Sequence, residues 1–148
     1  MTTEKWSRVL QGSAALVGLY ALALVLAGPT ASRLFDVLGF GPRSGQVPAG
    51  AAREHVLLIY GVLGSVIVGW MLLVAGLAGG PLRRGDRQVW RVVVVAVTVW
   101  FVLDTTFSLA VGSWPHAVFN AAFLAALGVP LAGWRLAARD HPLVDAGT

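Results

Sequence analysis

Among the residues able to do chemistry, Asp104 stands apart because it is the one acid inside a long apolar run. A carboxylate at membrane depth costs roughly 3 kcal/mol or more unless it is protonated, paired or reached by water, so Asp104 needs a partner. Taking Gly112 as the middle of a turn between two apolar runs, Asp104 and Asn120 lie eight residues to either side, each ~12 Å below the turn at helical rise. Ser108 and His116 are likewise equidistant from Gly112, each four residues from Asp104 or Asn120, and a four-residue step stays on one helix face. The spacing predicts a polar ladder in the outer half of a bundle, Asp104 with Asn120 and Ser108 with His116. Glu54 and His55 stand where they would close it off at the outer mouth, with Tyr60 just over a turn deeper.

Four uses of such a ladder follow from its chemistry. It is a clasp that sets the register of two helices, worth about 1 kcal/mol or less; or a titrating or ligand-binding site, since intramembrane acids mark ion paths and relays; or His55 and His116 hold a metal or a haem; or Asp104 snorkels to water. The spacing of His55 and His116 fits no ligand motif, and histidines at span boundaries are ordinarily interfacial, so no metal or haem is predicted. His141 falls in a solvated tail. The chain has no Cys, which removes thiolate metal sites and cysteine nucleophiles. It also lacks Gly-x-Ser-x-Gly, Gly-x-x-x-x-Gly-Lys and His-Glu-x-x-His, so no catalytic residue is assigned.

The elements that must position these residues are helices in lipid. The 148-residue chain is 57% hydrophobic and 12% charged, with a mean hydropathy of +0.75, too little polar surface for a soluble globule. Spans are expected over about 9–28, 55–77, 92–111 and 117–134, each near the ~20 residues that a hydrocarbon core requires. The third run is rich in Val, but in lipid only a helix satisfies its own backbone, and the alternation of a β-barrel is absent. Pro130 should kink or fray the last span. Pro29 spoils a signal cleavage site, and the first run is long for a signal core, so it is read as a retained span.

The formal charge of +4 does not point to nucleic acid, because the cations sit in short clusters between apolar runs. Lys5, Arg8, Arg83, Arg84, Arg87, Arg91, Arg135 and Arg139 fall on one side, and Arg33, Arg43 and Arg53 on the other. The excess of basic residues places the first side, with both termini, in the cytoplasm. Trp6, Trp90, Trp134 and Trp114 fit interfacial belts at the span ends, with Trp70 and Trp100 inside spans. The tight turn at 112–116 makes an antiparallel hairpin, and the basic loop at 79–87 suits anionic headgroups. The apolar face of Leu34, Phe35, Val37, Leu38 and Phe40 predicts a short surface helix in the first outer loop. From Ala137 to the end the chain is expected to fray into a flexible tail. The fold class is therefore an all-α, four-helix up-down membrane bundle forming one domain.

Small residues mark two expected packing faces: Gly61, Ser65 and Gly69 on the second helix, and Ala117, Ala121 and Ala125 on the fourth. Stripped faces let backbones approach, within the bundle or between copies. The stretch from Trp100 to Ser108, followed by Asn120 and Pro130, together with this layout, resembles small four-helix bacterial membrane proteins of the DoxX-like and BphX-like kind. The resemblance implies a multi-pass protein of the bacterial inner membrane and carries no residue-level chemistry. The reading that fits best is a non-enzymatic membrane protein acting through helix association, as a homo-oligomer or an accessory subunit of a membrane complex. Next comes a channel, transporter or lipophilic-ligand binder using the Asp104 site, and third a haem- or quinone-linked redox protein.

Overall fold

The computed structural model of the chain describes residues 1–28, 33, 36, 37, 41 and 50–140. They form α1 (Thr3–Leu26), α2 (Ala51–Leu77) running into a π-helical turn (Ala78–Leu82), α3 (Arg87–Ala110) and α4 (Trp114–Asp140). All four helices are long and apolar enough to cross a membrane. Each begins three to six residues before the range read from hydropathy, and in α1 and α3 a side-chain cap holds the first turn. The Thr2 hydroxyl accepts from the Lys5 N–H at 3.3 Å, and the Asp86 carboxylate accepts from those of Gln88 and Val89 at 2.9 and 3.0 Å.

One expectation changes at the far end of the chain. The last helix continues through Pro130 to Asp140, and Ala137 and Ala138 are buried, so fraying does not begin at Ala137. Residues 141–148, and most of the expected surface helix (Leu34, Phe35, Leu38 and Phe40), lie outside the described residues.

The seam between α1 and α2 is built on alternate steps of three and four residues. On α1 it runs through Ser7, Leu10, Ala14, Val17, Ala21 and Leu24, and on α2 through Tyr60, Gly64, Met71 and Val74. That period is the one by which two helices interdigitate at a shallow angle. The closest approach is at Gly64, where a Cβ would stand 2.7 Å from the Ala21 carbonyl oxygen. The expected face of Gly61, Ser65 and Gly69 is out of phase with this seam. Among the described residues no other helix covers it: nothing lies within 4 Å of a Cβ at Gly61 or Gly69, and Ser65 is exposed, its hydroxyl donating to the Gly61 carbonyl. On α4, Ala121 and Ala125 are also exposed and Ala117 is half-buried, while Asn120, Leu127, Leu131, Trp134 and Ala138 turn inward.

Helix α1 packs along α2 and α4, and α4 along α3, whereas the backbones of α2 and α3 scarcely meet beyond the π-helical turn that links their ends. The ring is thus closed on three seams and open on the fourth. The half of the bundle toward Thr3 and Asp140 is the more closely packed, with a smaller hollow of about 160 Å³ between α3 and α4. There Trp134, only 1% exposed, donates its indole N–H to the Leu82 carbonyl at 3.0 Å, and Trp90 donates to that of Leu131 at 2.9 Å. These two rings stack, and the Arg135 guanidinium lies 5.6 Å from the centre of Trp90. The Trp6 ring presses on the backbone of Gly133. Trp134 is therefore a core residue and not the interfacial anchor expected from its position. Gln11 donates to the Ala75 carbonyl at 3.3 Å beside the π-helical turn, and Glu4 accepts from Arg83 and Arg8 at 2.7 and 2.8 Å.

Candidate functional site

The other half of the bundle, toward the Gly112 hairpin, encloses a cavity of about 390 Å³ with walls from all four helices. Its lining is mainly apolar and rich in rings. Trp70 of α2 and Trp100 of α3 approach to 5.8 Å between ring centres across the open seam. Trp100 is 6.4 Å from Phe123, Phe123 is 4.6 Å from Phe119, and Tyr20 of α1 meets both phenyl rings edge-on at 5.9 and 5.6 Å. The rings thus run in an unbroken chain from the open seam to α1. The Tyr20 hydroxyl is buried and has no hydrogen-bond partner among the described residues.

One end of the cavity is polar. Asp104, His116 and Asn120 stand in its wall, but the rungs differ from the expected ladder. An Asp104 carboxylate oxygen lies 3.4 Å from His116 Nε2 and 3.4 Å from the Ser108 hydroxyl, which donates its shorter bond, 2.7 Å, to the Asp104 carbonyl. Asn120 is buried and its amide donates to the Thr105 hydroxyl at 3.4 Å. The hairpin is centred on Gly112 as expected, with φ of +75°, a conformation that suits glycine. Depth along the helices was therefore legible, whereas azimuth was not: Asp104 turns to His116, one turn nearer the hairpin, and Asn120 turns to Thr105.

Glu54 and His55 are exposed on α2 and are not in the cavity wall, so the structure does not bring His55 to His116. Among the described residues no group of three His, Cys, Asp or Glu side chains is placed to hold a metal. Tyr60 is buried but belongs to a separate cluster. It donates to Asp36 at 2.7 Å, while Arg53 pairs with the other carboxylate oxygen at 2.9 Å. This Asp36–Arg53–Tyr60 cluster was not anticipated, because Asp36 sits in the first connection, where a charged side chain usually signals only solvent. Nearby, a Cβ on Gly41 would meet the Pro115 ring at 2.9 Å, so that connection passes close over the start of α4.

Comparison of the chain with protein-family models, with curated proteins and with solved structures gives no match. The DoxX-like and BphX-like resemblance accordingly has no support from a family match.

Proposed function

We propose that this chain is a multi-pass protein of a bacterial cytoplasmic membrane that holds a lipophilic small molecule in the cavity between its helices. One observation carries the reading: a ring-lined hollow of about 390 Å³ ends in Asp104, His116 and Asn120. A clasp that only fixed helix register would need its polar groups alone, without the wall of rings that surrounds this hollow. Ligand sites combine mostly apolar walls with a few convergent polar groups in this way. The seam between α2 and α3 supports entry from the bilayer, because it leaves the walls within reach of lipid.

The test is native mass spectrometry and organic extraction of the protein purified in mild detergent, alongside Ala96→Phe, which puts a ring into the cavity. A small molecule that travels with the parent protein and is lost from Ala96→Phe is the expected result. Recovery of bare polypeptide, together with identical Trp emission in the presence of added lipophiles, would defeat the reading.

A second reading, association with another copy or with a membrane complex, is favoured by the Gly61, Ser65 and Gly69 face, which no helix among the described residues covers. Small-residue faces are the usual contact between helices in lipid.

A further inference from the structure

We infer that the ligand of this cavity is a lipophilic organic cation, an amine or quaternary ammonium carrying apolar or aryl groups, and that Asp104 is its counter-ion. The inference rests on the ligand-binding reading above and names the class of molecule.

Two acids among the described residues, Asp36 and Asp104, have contrasting surroundings. Asp36 has a side chain 6% exposed and is matched by Arg53 at 2.9 Å and by the Tyr60 hydroxyl at 2.7 Å. That is how a structural acid is neutralised away from water, by a charge and a short bond. Asp104 has a side chain 32% exposed, stands in the cavity wall, and has its two polar neighbours, His116 and Ser108, both at 3.4 Å. No Lys or Arg among the described residues stands in that wall. Both neighbours meet the same carboxylate oxygen, Oδ1, so a cation beside Oδ2 would add the full charge partner that the cavity wall lacks.

The rings supply the rest of the recognition. A cation within about 6 Å of an aromatic face is attracted by the ring quadrupole, most strongly by Trp, and more so once desolvated. Trp70, Trp100, Phe119 and Phe123 line the same cavity as Asp104, so the acid and the rings are available to one ligand. His116 is the neighbour with which a bound cation would share Asp104, since its Nε2 lies 3.4 Å from the carboxylate. The titratable groups in the wall are Tyr20 from α1, Asp104 from α3 and His116 from α4. The open seam then selects for apolar substituents, because a ligand entering there must first dissolve in the bilayer.

The experiment compares benzyltrimethylammonium with neopentylbenzene, its uncharged carbon isostere, by calorimetry and saturation-transfer NMR on the full chain in nanodiscs. The expected result is a preference of about tenfold or more for the ammonium, close to 1.4 kcal/mol. Asp104→Asn should collapse that preference to near unity, and Asp104→Glu, which retains the charge, should restore most of it. Equal binding of the two probes, or a preference that survives Asp104→Asn in folded protein, would overturn the cation and leave the lipophilic site standing. Failure of both probes to bind, with Ala96→Phe indistinguishable from the parent, would remove the binding site and the cation together.

Discussion

Asp36 and Asp104 show that the same side chain is structural or available according to what surrounds it. The Asp36 carboxylate is desolvated, and its ion pair with Arg53 ties the first connection to the start of α2. Removing one partner of such a pair leaves a buried charge uncompensated, at about 3–5 kcal/mol. Arg53→Met should therefore cost several times more than a surface substitution. Tyr60→Phe keeps the ion pair and loses one hydrogen bond to a charged acceptor, so it should cost about 1.5–3 kcal/mol. Thermal unfolding in detergent reads both, and an Arg53→Met protein as stable as the parent would show that the pair does not hold the connection in place.

For the helices, packing depends on phase more than on composition. Gly64 lies on the seam with α1, and a Cβ there would meet the Ala21 carbonyl oxygen at 2.7 Å and Val25 at 2.9 Å. Since one of those atoms is backbone, Gly64→Ala must push α1 and α2 apart, at about 1–3 kcal/mol. Ser65→Leu with Gly69→Leu puts far more bulk one residue away, yet on a face with room for it, and should change stability by no more than about 0.5 kcal/mol. Unfolding measurements on the two variants should rank them in that order, opposite to the order of volume added. If the double variant also shifts the oligomeric state, the association reading gains its interface; if Gly64→Ala is neutral, the seam is misplaced.

The whole molecule is asymmetric along its axis. The end toward Thr3 and Asp140 is packed by Trp6, Trp90 and Trp134 with the π-helical turn, while the hairpin end holds the larger hollow. Among the described residues the cations divide in the same direction, with eight toward the Thr3 end of the bundle and Arg33 and Arg53 toward the hairpin. If this excess orients the chain, the cavity lies in the leaflet facing away from the cytoplasm. Reporter fusions should then place Ser113 outside and the Arg83–Arg87 loop inside. A cytoplasmic Ser113 would invert the molecule and put the cavity in the inner leaflet.

The number of long apolar helices and the turn at Gly112 were determined by the sequence itself. Hydropathy and helical rise are local properties, and a backbone without water must bond within its own segment. Rotation of each helix about its axis was not legible. Lipid and protein interior are both apolar, so a span carries little mark of which face turns inward. Gly61 and Gly64 look alike in the sequence, and only packing shows that the second is the contact. For the same reason Asp104 could be placed level with Asn120 but not assigned to His116, and Trp134 looked like a boundary ring until its N–H was seen to bond Leu82. The Asp36 cluster joins residues 17 and 24 positions apart, and the cavity exists because α2 and α3 diverge. Both depend on where whole helices stand relative to one another, which only the balance of all the packed seams decides.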